Sequence, residues 1–172
     1  MIWLPLLLLG ISTAQAADNK DMPAQAARGK AIFFDKEKKN HCATCHELAK
    51  AGTAVGPNLT DIARLSPKGI EVSIMSSRTV HTKEIELKTK VKMPAMVVSE
   101  TPKELTVYNL GASPPERLVL DKETIYAVRD NSTWRHPPES TEASKEMLAD
   151  VISYIRFVAF GDTKGVKPED LE

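Results

Sequence analysis

Five consecutive residues, Cys42-Ala43-Thr44-Cys45-His46, carry the chemistry of this chain. Two thiols two residues apart, followed at once by an imidazole, form the CxxCH pattern by which a c-type haem is attached to a polypeptide. Each part has a task. The thiols add across the two porphyrin vinyl groups, and the spacer lets both sulfurs meet one edge of the macrocycle. The histidine comes to lie under the iron as its proximal ligand. Other readings of a CxxC pair fit less well. A structural zinc site needs a second ligand pair. Cys42 and Cys45 are the only cysteines, and no His-x3–5-His follows them. A thioredoxin-like pair belongs in a βαβ context, whereas this motif runs into a loop. A structural disulfide is the remaining alternative. The expected cofactor is one covalently bound haem c, held by Cys42, Cys45 and His46.

The start of the chain agrees with that chemistry. Residues 1–16 read as an export signal. The apolar run Ile2 to Ile11 has the length of a signal core and is too short for a comfortable membrane span. Ala14-Gln15-Ala16 offers a small-x-small cleavage site, with cleavage expected after Ala16. No Lys or Arg precedes the apolar run, so an uncleaved anchor is the alternative. Covalent haem c is assembled outside the bacterial cytoplasm, so the expected location is the periplasm of a Gram-negative bacterium. No stable membrane span is expected after signal cleavage. Lys plus Arg equals Asp plus Glu at 23 each, and the missing basic excess argues against a nucleic-acid partner. Aromatic residues make up 5% of the chain; a haem would supply apolar mass that such a core otherwise lacks.

The elements that must position the motif come next. A first helix is expected with Asp21 as its cap and Pro23 in its first turn, ending at the charged run from Lys36 to Asn40. A loop with Gly52, Gly56 and Pro57 leads to a short turn, Thr60 to Arg64, and to a helix from Pro67 to Ser77. From Glu84 the hydrophobic period becomes two: Ile85 and Leu87 alternate with polar residues, and Ala95 to Val98, Leu105 to Tyr108, Leu118 to Leu120 and Thr124 to Val128 follow between turns. Residues 84–130 therefore read as a small antiparallel β insert of four or five strands. Helical spacing returns with Met147, Leu148, Val151, Ile152, Ile155 and Val158, from a start at Ser140 or Thr141 to a stop at Gly161. Residues 162–172 read as a polar, frayed tail.

With these pieces in place the chain resembles the class I c-type cytochromes. The matching segments are Gly29-Lys30-Ala31-Ile32-Phe33, Cys42 to His46, Gly56-Pro57-Asn58-Leu59, and Leu148 to Ile155. The resemblance implies a mainly α cytochrome c fold with a small antiparallel β insert, α+β overall. Residues 17–83 would be the N-terminal part with the haem attachment, and residues 131–161 the distal-ligand loop and C-terminal helix. It also implies that the first and last helices cross with Gly29 and Phe33 against Ile152 and Ile155. The Pro57 carbonyl would accept a hydrogen bond from the His46 imidazole, and Leu59 would pack on the haem face. The insert is more loosely similar to that of haem-binding domains in large planctomycete and verrucomicrobial proteins.

Relatives of this kind usually supply the sixth iron ligand from a Met-Pro pair shortly before the last helix. At that place this chain reads Trp134-Arg135-His136-Pro137. His136 is accordingly the expected distal ligand, giving a bis-histidine iron. Met93-Pro94 matches the pair literally but lies inside the β-rich stretch, and Met93 is the rival. His81, Met75 and an open site are further alternatives. Trp134 would pack on the haem or simply bury the return from the insert. Lys36, Lys38, Lys39 and Lys50 bracket the motif and would dock an acidic partner or form a solvated helix end.

The expected function is that of an exported monohaem c-type cytochrome, a one-electron carrier between redox partner proteins rather than an enzyme. A haem-based sensor of gases or small molecules with a displaceable distal ligand is the contrasting expectation. A cytochrome subunit of a periplasmic dehydrogenase or oxidase is a third.

Overall fold

The computed structural model describes residues 21–76 and 81–172; the expected signal segment, residues 1–16, lies outside the described residues. The haem-motif half of the molecule is built on two crossed helices. Helix α1, Ala24–Phe33, lies across α6, Lys145–Phe160. They meet at Gly29. A Cβ there would stand 1.9 Å from the Asp150 carbonyl oxygen and 2.9 Å from the Tyr154 Cβ, so only a residue without a side chain lets the axes come this close. The crossing partners differ from the expected Ile152 and Ile155. Asp150 and Tyr154 face α1: the Phe33 ring lies 5.6 Å from that of Tyr154, and Arg28 forks onto the Asp150 carboxylate through two bonds of 2.8 Å. Ile155 shares the apolar cluster of Phe33, while Ile152 belongs to a second cluster.

Helix α6 is buried on two sides. One side joins Ala26, Phe33, Ala43, Leu48, Leu59 and Ala63 through Val151, Tyr154 and Ile155. The other joins Ile70, Val166 and Leu171 through Leu148, Ala149 and Ile152. Its start is set by the Ser144 hydroxyl, which accepts from the Met147 amide, and its end by Gly161 in the left-handed conformation. The expected start at Ser140 or Thr141 is instead a separate one-turn helix α5, Pro138–Thr141. At the other terminus Asp21 makes no cap: Pro23 is the N-cap residue of α1. Between α1 and α6 lie α2, Cys42–Cys45; the hairpin β1, Glu47–Leu48, and β2, Ala51–Gly52; α3, Leu59–Ile62, capped by the Asn58 side chain on Thr60 N; and α4, Pro67–Ser76.

The tail is docked rather than frayed. Val166 is 3% exposed and Leu171 0%. The Gln25 amide group exchanges two hydrogen bonds with the Val166 backbone, and the Lys68 ammonium donates to the Leu171 carbonyl at 2.6 Å. Its polar composition hid two apolar residues placed to close the second cluster.

The fold class needs a larger correction. Among the described residues strand accounts for 25% and helix for 36%, so the fold is mixed α/β and not mainly α. The strands β3 (Thr82–Leu87), β4 (Lys92–Glu100), β5 (Glu104–Asn109), β6 (Glu116–Asp121) and β7 (Ile125–Asp130) form one antiparallel sheet in the order β6-β5-β4-β3-β7. Register fixes its faces: Ile85 pairs with Met93, Val97 with Val107, and Val107 with Leu118. These residues share one side, and period-2 alternation sends their neighbours to the other. Register shifts at Glu86/Leu87 and Val97/Ser99 are bulges of the sort that bend a strand. The sheet curls until Leu118 and Leu120 of one edge and Ile125 of the other pack on Ile85, Ala95, Leu105 and Val107. This is a core of its own, which is why the β part outweighs a mere insert.

Candidate functional site

The four-residue helix α2 turns the CxxCH motif inward, with Ala43 buried beneath it. Cys42 and Cys45 are not joined to each other. Burial pushes the Cys42 thiol up to about 11 and raises Cys45 as well. His46 follows in extended conformation and donates from Nδ1 to the Pro57 carbonyl at 2.8 Å. Gly56 makes that contact possible: a Cβ there would lie 2.7 Å from His46 Cε1 and 3.1 Å from Nδ1. A backbone acceptor on the far nitrogen fixes the ring's tautomer and direction and raises its basicity as a ligand.

A cavity of about 380 Å³ opens beside the motif. Ile32, Leu59, Ile62, Ile70, Ile74, Leu148, Val151 and Ile155 supply its apolar wall, while Cys42, His46 and His136 stand on its edge. A smaller cavity of about 70 Å³ continues past Cys45 and Trp134 to the sheet. The two imidazoles face this slot together. Their ring centres are 6.0 Å apart with planes 27° from parallel. Metal–imidazole bonds of about 2 Å on either side of one ion would set the ring centres about 6 Å apart. His136 is held in its turn by a hydrogen bond to the Ile74 carbonyl, and the Trp134 ring lies 5.1 Å from it. Burial, and then the neighbouring His46, push His136 down to about 4 against that hydrogen bond. Burial lowers His46 too, against the bond to Pro57. Both rings are thus neutral near pH 7, which is the ligating form. Paired thiols, facing neutral imidazoles and an apolar slot fit a haem.

The structure brings Cys42, Cys45, His46, Pro57, Leu59, Trp134 and His136 around the slot. It does not bring Met93 there. Met93 packs with Ile85 in the core of the sheet, because its register places it on the face turned away from the slot. Of the methionines on that strand, Met96, on the opposite face, reaches the smaller cavity, and Met147 of α6 lines the larger one. Met75 is 42% exposed and lines neither cavity, and His81 stands at the rim of the larger one. Residues outside the sequence reading also take part: Thr82, Leu110, Ala112 and Pro115 close the slot from the sheet side. The Ser113 hydroxyl, on the β5–β6 loop, ties to Asn40 Oδ1 at 2.7 Å, just ahead of the motif. The Ile74 carbonyl leaves no trace in a sequence, since every residue has one.

Residues 26–107 match the family model for cytochrome c. The match supports a c-type cytochrome. It runs from α1 into β5 and covers Cys42, Cys45, His46, Pro57 and Leu59, just under half of the chain; Trp134, His136 and α6 lie beyond it. A cytochrome c domain implies haem c, and such domains are generally electron carriers working with redox partner proteins. Cytochrome c domains are often exported, and among the described residues no helix is long and apolar enough to cross a membrane. No curated protein matches the chain.

Proposed function

We propose that this chain is an exported, monohaem c-type cytochrome of the periplasm that carries single electrons between redox proteins, with histidine on both faces of its iron. The observation that carries the reading is the pair of neutral, backbone-oriented imidazoles facing each other at 6.0 Å across an apolar slot. Cys42 and Cys45 would hold the haem covalently, and His46 and His136 would be its axial ligands. Leu59 would pack on a haem face, and Trp134 would back the His136 ring. When bound, the haem supplies a one-electron couple, and replacing a thioether by an imidazole lowers its potential. The rest falls to the chain. Pro57 and Ile74 aim the two rings through their carbonyls, the isoleucines and Leu148 exclude water, and the β5–β6 loop closes the slot beside Cys45. Two held ligands leave no vacant position, which favours electron transfer over ligand capture or catalysis. The sheet, set between α4 and the distal loop, is the feature behind the likeness to planctomycete and verrucomicrobial haem-binding domains.

Expression in a host that matures c-type cytochromes tests the reading. The pyridine haemochrome should show one haem per chain that survives denaturing electrophoresis, and Cys42→Ser with Cys45→Ser should abolish it. A reversible one-electron titration is expected. Haem lost on denaturation of the wild type would refute covalent attachment.

A further inference from the structure

The distal histidine sits on a loop, and the structure shows what gives that loop its shape. The loop leaves β7 at Asp130 and is hung on the sheet at its first residue, where the Asn131 amide donates to the Thr82 carbonyl at 2.9 Å. Thr82 is 1% exposed and lines the slot. The Asn131 side chain then gathers the chain that follows. Its Oδ1 accepts from Thr133 N at 3.1 Å, Thr133 Oγ1 at 3.0 Å and Trp134 N at 2.9 Å. Arg135 closes the same turn from outside, donating to the carbonyls of Ser132 and Trp134. The turn delivers the Trp134 ring to within 5.1 Å of the His136 ring, which is itself hydrogen-bonded to the Ile74 carbonyl on α4.

Resting on the reading of His136 as distal ligand, we propose that Asn131 is a positioning residue for that ligand, the joint through which the sheet holds His136 on the iron. The sheet then has a function. It is the rigid mount for a loop that crosses from β7 to α5 with no regular structure of its own. A histidine on a loose loop would leave the iron more often. Asn131 would thus set how often the sixth position opens while lining neither cavity itself. Only the acceptor oxygen is used, so a carboxylate of the same length serves equally, a hydroxyl serves in part, and a methyl group fails.

The test is carbon monoxide binding to the reduced holoprotein, followed by stopped flow at saturating gas, with the oxidised spectrum recorded alongside. At saturation the observed rate reports departure of the distal ligand. A net hydrogen bond shifts a population about fivefold. Three bonds sharing one oxygen give an expected acceleration of about tenfold in Asn131→Ala, with high-spin character growing in the oxidised spectrum. Asn131→Asp should restore the wild-type rate, and Asn131→Ser should fall between. These two variants keep the test open if Asn131→Ala does not fold. A variant that merely loosened the fold would lower the melting temperature and leave the rate alone. Rates alike in all variants, on a wild type that is low-spin and bis-histidine, overturn this inference and leave the ligation intact. So does an Asp variant as fast as Ala. A sulfur-ligated or high-spin wild type overturns the ligation and the inference together.

Discussion

Substituting Gly29 by alanine sets two effects of opposite sign against each other. Alanine in place of glycine inside an exposed helix stabilises it by about 1 kcal/mol. Gly29 is buried at the α1–α6 crossing, however, and its new Cβ would lie 1.9 Å from the Asp150 carbonyl oxygen and 2.5 Å from that carbonyl carbon. These are main-chain atoms in the middle of α6, which no rotamer change can move aside. The helices must separate, loosening the Phe33–Tyr154 contact and the Arg28–Asp150 fork. Overpacking costs about 1–3 kcal/mol, and a backbone obstacle puts this site at the upper end. Net of the propensity gain, Gly29→Ala should destabilise by about 2 kcal/mol, a fall in melting temperature of about 4–8 °C for a domain of this size. Thermal unfolding of the oxidised holoprotein, followed by far-ultraviolet circular dichroism, measures it. A variant as stable as the wild type, or more stable, would mean that propensity alone operates and that the close crossing is wrong.

Three further outcomes follow from single contacts. Gly56→Ala would press a methyl group on His46 and break its bond to Pro57. Losing about 1 kcal/mol of hydrogen bond makes the imidazole a poorer ligand for ferric iron, so the midpoint potential should rise by about 40 mV; an unchanged potential in a redox titration contradicts the contact. Leu171→Ala should cost about 2–5 kcal/mol in denaturant unfolding, as a fully buried leucine does, and a loss below about 0.5 kcal/mol would mean an undocked tail. Asp162 is held below the usual carboxylate range by the Lys164 amide and by Arg156. Its contribution is full above about pH 4 and lost as pH falls through the depressed native value. The stability gap between wild type and Asp162→Asn should therefore close in acid, and a gap independent of pH counts against it.

The sequence made the chemistry legible wherever chemistry is local. CxxCH marks the expected ligand by spacing, Gly56-Pro57 follows it after one short hairpin, and the alternation from Ile85 onward marks strands that the structure contains. What remained hidden was non-local. The weight of the β part could not be read from alternation, because curling depends on bulges at Glu86/Leu87 and Val97/Ser99 that bring two distant edges together. Register also decides which methionine of β4 meets the slot, and a shift of one place exchanges the two faces. Met93, the rival ligand by motif, is therefore turned into the sheet core, while pairing turns Met96 of the same strand toward the smaller cavity. The start of α6 moved because Ser144 and Met147 form a local cap that competes with Ser140 and Thr141. The tail was misjudged by composition: Val166 and Leu171 sit among charges and find their cluster only across the chain.

The central claim is that the two imidazoles facing each other in the slot are the two axial ligands, and the oxidised holoprotein answers it directly. Electron paramagnetic resonance with the visible and near-infrared spectrum should show a low-spin ferric iron with no weak far-red band of sulfur ligation. His136→Ala should turn it high-spin while the haem stays covalently bound. A sulfur band in the wild type, or a low-spin spectrum untouched by His136→Ala, would contradict the account.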